Sequence, residues 1–294
     1  MLPLTKNRIL YSILGLLLCL VGKDGFGQKE ANNWYFGFGQ AVNFASGNPV
    51  NVNGSQMGAN YGSTSLSDSL GNLLFYSDGV FVFNRNNQVM PHGDTLLSSS
   101  FATSPCVAFR KPGSLRDYYI FTVAGTPTTK WKPCVNYSII DMSLQGGLGD
   151  IVAFQKNIPL LAADSAYETI GAIRHGSKDA YWVFVRNHRT LNQFYAFLVD
   201  ITGVNPNPVV SPCMLKLNVT SYGQSKLMKI SPDGKYLLYA SRNSLTGHYG
   251  KVELYRIDNV TGQVSQLLLF DTGTMNMGAE FSANSEYLFM SNTI

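Results

Sequence analysis

Apolar and polar residues alternate in short runs along most of this chain, and Gly, Asn, Asp or Pro closes each run. Alternation over about four to eight residues predicts a half-buried β-strand, whereas a helix needs apolar residues every three or four positions. The helical spacing is almost absent. The pattern therefore predicts an all-β protein built from short strands and turns.

A polar turn followed by an aromatic-aliphatic strand recurs five times along the chain. The copies occupy Asp68–Ser77, Lys111–Thr122, Arg174–Val185, Ser231–Ser241 and Ser282–Ser291. Aligned on Phe75, Phe121, Phe184, Tyr239 and Phe289, they lie 46, 63, 55 and 50 residues apart. Periods of roughly 40–50 residues that hold several strands are typical of propeller blades. We predict a β-propeller with WD-like or Tol-type four-stranded blades, in which the polar turn joins the inner strand of a blade to the aromatic strand.

The repeat also sets the expected domain organisation. Residues 28–294 form one propeller domain of about five to six blades. The last blade begins at Gly278 and holds only two predicted strands. We expect the chain to be a truncated form of a longer protein, incomplete at its C-terminus; the alternative is that the first strands, Trp34–Phe44, close a smaller ring.

The N-terminal segment, residues 1–27, has the pattern of a cleaved secretory signal. Lys6 and Arg8 precede a mostly apolar run of 13 residues, Ile9–Val21. This run is shorter than the roughly 20 residues that a membrane-spanning helix needs. We predict cleavage near Gly27 and a secreted or cell-surface protein; the alternative is a lipoprotein signal with Cys19 as the lipid acceptor.

Charge and composition exclude several partner classes. The chain is 14% charged and 12% aromatic, with a formal net charge of +4. Removal of residues 1–27 takes away Lys6, Arg8, Lys23 and Asp24, which leaves +2. Near-neutral charge without a basic run argues against nucleic acid or an anionic membrane surface as a partner. No further segment is apolar enough to insert into a membrane after signal cleavage.

Three cysteines remain after cleavage: Cys106, Cys134 and Cys213. An oxidising compartment favours one disulfide, and Cys106–Cys134 is the nearest pair in sequence; the alternative is three buried thiols. No zinc spacing, Walker loop, GxSxG or HExxH motif is present. We therefore predict no metal site, no cofactor and no catalytic constellation.

Two segments carry a family resemblance. They are NNWYFGFGQAVNF at Asn32–Phe44 and SLSDSLGNLLFYSDGVFVFNRNNQVM at Ser65–Met90, and YETIGAIRH, LMKISPDGKYLLYAS and GAEFSANSEYLFMSN follow the same pattern. The chain resembles the N-terminal propeller region of Bacteroidetes surface proteins that end in a gliding-motility-associated, type B sorting domain read by type IX secretion. The resemblance covers nearly all of Asn32–Asn292 and implies a surface-exposed or secreted module without an established reaction. The chain departs from the family where Asn60-Tyr61-Gly62 replaces an expected acidic residue, and it lacks the sorting region.

Four residues are candidates for ligand binding. Glu168 and Glu280 each precede a predicted inner strand, and Lys229 falls near the matching place in the fifth unit. Inner strands surround the channel of a propeller, so a charged ring there could bind a ligand; the alternative is a salt bridge between blades. Trp131 lies in the loop TPTTKWKP between Lys130 and Lys132, where it could stack on a sugar or a partner protein.

The sequence alone favours an exported, noncatalytic propeller that acts as a binding or scaffold module and contacts a surface protein or a glycan. The alternative is a propeller-type glycoside hydrolase or lyase that uses the carboxylates of Glu168 and Glu280. That mechanism requires the two carboxylates to lie about 5–9.5 Å apart across a cleft.

Overall fold

The computed structural model of the protein describes residues 29–98, 102–124, 134–161, 168–187, 193–215, 226–241, 250–272 and 276–292. Within these ranges the regular structure consists of β-strands and short 3₁₀ turns, at Lys29–Ala31 and Gln145–Gly147. The predicted all-β class is confirmed. No helix in the described part of the chain is long and apolar enough to cross a membrane.

The described strands form six small antiparallel sheets that follow one another along the chain. Sheets 1 and 2 consist of β1 (Asn33–Phe36), β2 (Gln40–Asn43), β3 (Val50–Asn51), and of β4 (Thr64–Ser67), β5 (Leu73–Ser77), β6 (Val82–Asn84). Sheet 3 consists of β7 (Cys106–Arg110), β8 (Asp117–Val123), β9 (Val135–Asp141), β10 (Asp150–Ile151) and β11 (Ile158–Leu161). Sheet 4 consists of β12 (Ile170–Arg174), β13 (Tyr181–Asn187), β14 (Gln193–Asp200), β15 (Gly203–Val204) and β16 (Val209–Pro212). Sheets 5 and 6 consist of β17 (Lys226–Ile230), β18 (Tyr236–Ser241), β19 (Lys251–Ile257), β20 (Val264–Asp271), and of β21 (Asn276–Phe281), β22 (Leu288–Asn292).

The apolar core is divided among the gaps between consecutive sheets. A separate cluster of buried side chains fills each gap from sheet 1 to sheet 6. The first strands of sheets 2 to 6 are in contact in succession, β4 with β7, then β12, β17 and β21. A parallel bridge between Ser104 and Thr169 shows that β7 and β12 run in the same direction. Sheets packed face to face around a row of inner strands make a β-propeller, as the repeat predicts.

The polar turn of each repeat joins an inner strand to the aromatic strand, as predicted, in sheets 2 to 6. Asp78 and Gly79 lie in the hairpin loop that joins β5 to β6. Ser77 pairs with Val82, so the loop is Asp78–Phe81. Gly79 alone of these four residues has a positive φ, 88°. An L side chain there would be strained, which explains the glycine.

The aromatic positions of the repeat do not all face the same way. Phe75, Phe121 and Phe184 are fully buried and each packs against the following sheet. Tyr239 is also fully buried, but it packs back toward sheet 4, and Leu238 packs against sheet 6. Because side chains alternate across a strand, an alignment that is one residue out selects the wrong face. The alignment of the fifth unit on Tyr239 is out by one residue in this way.

A fully buried ion pair connects sheets 4 and 5. The guanidinium of Arg186, at the end of β13, donates to Glu253 Oε2 on β19 and to the carbonyl oxygen of Leu215, the latter at 2.6 Å. Glu253 Oε1 accepts hydrogen bonds from the Leu215 N–H at 2.8 Å and from the Tyr255 hydroxyl at 2.5 Å. The Arg186 guanidinium also lies 4.3 Å from the centroid of the Tyr239 ring. The pair thus fixes the chain after β16 against both sheets.

Candidate functional site

The inner strands β4, β7, β12 and β17 enclose a cavity of about 690 Å³, which we call the channel. Each inner strand pairs on one side only, so its other edge presents backbone N–H and C=O groups to the channel. Hydroxyl side chains of Ser63, Thr64, Thr103 and Ser104 line the end where the strands begin. Arg174 and Tyr181 line the end where β12 turns into β13, and Lys229 contributes from β17.

A second cavity, of about 380 Å³, adjoins the channel at its arginine end. Ala108, Phe109, Arg174 and Tyr181 line both cavities. The second cavity also contains the side chains of Arg110, Tyr118, Glu30 and Asp68. Arg174 therefore lies where the two cavities meet, and Arg110 lies in the second cavity only.

Arg174 is held by an aromatic stack. Its guanidinium lies 5.4 Å from the centroid of the Tyr181 ring, and that ring stacks on Phe109 at 4.2 Å. Arg174 is exposed, and no described residue accepts a hydrogen bond from it or forms an ion pair with it. A guanidinium cannot lose its proton in a protein and presents five donors. Arg174 is therefore available to bind a carboxylate or a phosphate.

The tyrosine beneath Arg174 stays protonated. Burial raises the pKa of Tyr181 above its ordinary value, although the positive charges of Arg174 and Arg110 oppose this effect. Burial likewise raises the pKa of Tyr118 in the second cavity. Both phenols therefore act as neutral hydrogen-bonding groups near neutral pH.

Lys229 and Glu280 form an ion pair between sheets 5 and 6, with 2.6 Å between Nζ and Oε2. The side chains are 38% and 62% exposed, so the pair is open to water and to a ligand. This contact fulfils the salt-bridge alternative that the sequence left open for these residues. Lys229 is also one of the residues that line the channel.

Glu168 and Glu280 are not brought together. Glu168 lies two residues before β12, where its carbonyl oxygen accepts a hydrogen bond from the Ser104 N–H at 3.1 Å. Glu280 is the next-to-last residue of β21, at the opposite end of the inner strands. Five strand positions separate their levels, which at about 3.3 Å per residue is about 16 Å along the strands. This separation of the two backbone positions exceeds the carboxylate spacing of about 5–9.5 Å that a glycosidase needs.

The other sequence-based candidates fare differently. Trp131 lies outside the described residues.

Cys106 and Cys134 are buried thiols: Cys106 Sγ donates to the carbonyl oxygen of Ser77 and Cys134 Sγ to that of Leu161. The predicted disulfide between them is therefore wrong. Cys106 is on β7, Cys134 directly precedes β9, and β8 lies between these strands. Two strand spacings of about 4.8 Å exceed the Cα separation of about 7 Å that a disulfide can span.

Arg110 and Arg174 were not among the residues predicted from the sequence, although the repeat contains a signal for them. Both residues immediately precede the polar turn, in FRKPGS and in IRHGS. The fifth and sixth units have Ile230 and Phe281 at the corresponding place. Two adjacent repeats with arginine in one column of the alignment predict two guanidinium groups at the same end of the channel.

Comparison with known proteins supports the architecture. No protein-family model matches the chain. No curated protein matches it. Similar solved structures include a Pseudomonas aeruginosa periplasmic gluconolactonase (13% identity, TM-score 0.48, 86% of this chain and 69% of that chain covered). They also include a candidate 6-phosphogluconolactonase from Bacteroides uniformis (15% identity, TM-score 0.47, 87% of this chain and 71% of that chain covered). A third is an exo-β-1,3-galactanase from Phanerochaete chrysosporium (14% identity, TM-score 0.39, 69% of this chain and 45% of that chain covered).

These comparisons correct the functional interpretation drawn from the sequence. At such identities the likeness shows the fold alone. The named propellers that share this fold are nevertheless enzymes, which contradicts the assignment of the chain as a noncatalytic binding or scaffold module.

Proposed function

We propose that the protein is a propeller enzyme that hydrolyses a small carbohydrate ester, a sugar lactone that carries a carboxylate or phosphate group. The observation that supports this proposal is the guanidinium of Arg174, which pairs with no described residue, at the junction of two cavities lined by hydroxyl, phenol and amine groups. The channel volume of about 690 Å³ is within the usual range for small-molecule sites. Lactone hydrolysis is also the chemistry for which two of the similar propellers are named.

The anionic group of the substrate binds Arg174, with Arg110 contributing charge from the adjoining cavity. Tyr181 and Phe109 hold the guanidinium in place from below. Lys229 stabilises the oxyanion that forms when water adds to the lactone carbonyl. Glu280 accepts the proton of that water and returns it to the ring oxygen as the ester C–O bond breaks. The product is an open-chain hydroxy acid.

Hydrolysis by Lys229 and Glu280 needs only one carboxylate. A glycosidase that uses Glu168 with Glu280 requires the pair spacing that the strand register does not provide. The lactone reaction therefore fits the residues better than glycoside cleavage does.

The test measures the release of acid from a panel of lactones by titration at constant pH. The panel contains lactones with and without a carboxylate or phosphate substituent. We expect Lys229→Ala and Glu280→Gln to lower kcat by about 100-fold or more. We expect Arg174→Ala mainly to raise KM for the anionic lactone, by about tenfold, because one charge-assisted hydrogen bond is lost.

Two matched variants serve as controls. Lys178→Ala removes an ion-paired lysine of similar exposure on the turn before β13. Arg256→Ala removes an exposed arginine of β19 that lines neither cavity. Absence of turnover for every lactone, or equal effects of Arg174→Ala and Arg256→Ala, would refute the proposal.

We also propose that the enzyme is exported to the cell surface or secreted. This rests on the signal pattern of residues 1–27 and on the resemblance to propeller regions of type IX secretion, gliding-motility-associated proteins. The intact mass of the protein recovered from its native host tests the first point. A mature chain that begins near Gln28 is expected, and retention of residues 1–27 would contradict it.

A further inference from the structure

A third cavity lies apart from the channel, beside sheet 2. It has a volume of about 530 Å³, and we call it the rim pocket. The β5–β6 loop and β6 supply one wall with Asp78, Val80, Phe81 and Phe83, and the segment before β4 faces them. Lining residues from that segment and from the turn after β6 are Gln56, Gly58, Asn87 and Val89.

Asp78 is the only charged residue among those that line the rim pocket, and it is 4% exposed. Its Oδ1 accepts hydrogen bonds from the backbone N–H groups of Val80 and Phe81, each at 2.8 Å. Within the described part of the chain, Oδ2 accepts none. The loop therefore fixes the carboxylate and leaves one of its oxygens without a donor. A carboxylate oxygen on the wall of a cavity that accepts no hydrogen bond from the described residues is available to accept one from a ligand.

An aromatic platform lies next to this oxygen. Phe81 is 38% exposed, and its ring lies 6.1 Å from the ring of Phe83. Phe83 stacks on Tyr76 at 4.9 Å, and Tyr76 stacks on Tyr35 at 4.2 Å. The partly exposed ring of Phe81 is thus the outer member of a row of neighbouring aromatic rings.

Two amides complete the lining, and each has one group already engaged. Asn87 Oδ1 accepts a hydrogen bond from the Tyr76 hydroxyl at 3.1 Å, which leaves its Nδ2 as a donor. Gln56 Nε2 donates to the carbonyl oxygen of Gly54 at 3.1 Å, which leaves its Oε1 as an acceptor. The rim pocket therefore offers one neutral donor, one neutral acceptor and one charged acceptor around an aromatic face.

We propose that the rim pocket binds a neutral pyranose ring of a glycan. The apolar C–H face of the ring packs on Phe81, while its hydroxyl groups donate to Asp78 Oδ2 and to Gln56 Oε1 and accept from Asn87 Nδ2. The negative charge of Asp78 disfavours anionic sugars, so this specificity is opposite to that proposed for the channel. The inference goes beyond the proposed hydrolysis and does not depend on it.

The test is saturation-transfer NMR of the purified chain with methyl pyranosides of glucose, galactose and mannose, each alone, and with n-butylammonium chloride as a cationic probe. We expect transfer to at least one pyranoside. Asp78→Asn keeps the oxygen that caps the loop but removes the charge of the free oxygen, and we expect binding to weaken about tenfold or more. Phe81→Ala is expected to weaken it similarly.

Matched controls separate a binding effect from a folding effect. Asp258→Asn changes an aspartate that accepts from two backbone N–H groups, those of Val260 and Thr261, in an exposed turn. Phe154→Ala removes a phenylalanine that is 96% exposed. If Phe81→Ala fails to fold, Gln56→Ala, an exposed residue, replaces it.

The expected result is weaker pyranoside binding for the rim variants and unchanged binding for the controls. Absence of transfer to every pyranoside, equal loss in the controls, or transfer to the butylammonium ion alone would overturn the proposal. Lactone turnover is measured in a separate assay. If the hydrolysis proposal for the channel fails, the pyranoside-binding result for the rim pocket can still be interpreted.

Discussion

Replacing Glu253 by Gln is expected to produce one of the largest losses of stability available from a single polar substitution. Glu253 and Arg186 are 1% and 0% exposed, and both oxygens of the carboxylate are in use. Burial alone would lower the pKa of Arg186, but the adjacent carboxylate outweighs it and holds that pKa above the ordinary value. Even without the carboxylate the guanidinium stays charged, because an arginine side chain does not lose its proton in a protein.

The size of the effect follows from that uncompensated charge. Removing one partner of a buried ion pair costs about 3–5 kcal/mol, which is a large part of a typical unfolding free energy of about 5–15 kcal/mol. The double variant Arg186→Met with Glu253→Met leaves no buried charge. We expect it to cost less than Glu253→Gln alone, because apolar replacement of a buried pair is often nearly neutral.

Urea unfolding followed by circular dichroism measures both values. Asp271→Asn is the control, because it breaks the Lys251–Asp271 pair on the neighbouring strands, where the side chains are 30% and 46% exposed. Such an exposed pair contributes about 0.2–1 kcal/mol. A Glu253→Gln loss no larger than that of the control, or a double variant as costly as the sum of its two single substitutions, would refute the reasoning.

Two further predictions concern one glycine and one carboxylate. Gly262→Ala is expected to cost about 2–5 kcal/mol in urea unfolding, because φ is +75° and the new Cβ would lie 2.8 Å from the Trp182 ring. Gly47→Ala, with φ +84° and no atom within 4 Å, is the control and should lose only about 1–2 kcal/mol; equal losses would contradict the steric argument. Burial alone would raise the pKa of Asp150, but hydrogen bonds from the His92 backbone and ring and from the Ile151 N–H hold it below its ordinary value. A lowered carboxyl pKa stabilises the fold above the unfolded value of about 3.9 and loses that effect as the pH falls through the folded value. Asp150→Asn should therefore lower the unfolding free energy by about 1.5–3 kcal/mol at pH 7 and progressively less below pH 4, and a difference independent of pH would contradict the assignment.

Local patterns in the sequence were enough to predict the fold. The polar turns and the burial of Phe75, Phe121 and Phe184 can each be predicted from composition and alternation within about ten residues. A single repeat is therefore enough to predict them. Tyr239 shows where this reasoning reaches its limit. An aromatic residue suits either face of a buried strand, and only the pairing with β17 and β19 fixes which neighbour it meets.

The candidate site was less accessible to sequence reasoning. Lys229 and Glu280 were identified because they occupy similar places in adjacent repeats. The availability of Arg174 depends on what surrounds it in space, and the sequence contains no record of that. Similarly, Arg186 and Glu253 are separated by 67 positions, and nothing in WVFVRN or KVELYRI shows that the two charges meet.

Each described sheet comes from one uninterrupted stretch of the chain, and each core cluster joins only a sheet and its immediate successor. Biosynthesis can exploit this order, since an early sheet has all its own strands before the ribosome has made the later ones. Each newly made sheet can then pack against the apolar face of the sheet that precedes it. A destabilising substitution in sheet 5 would accordingly leave sheets 1 to 3 able to fold and pack together. The same kind of substitution in sheet 2 would remove the surface against which sheet 3, and then each later sheet, packs.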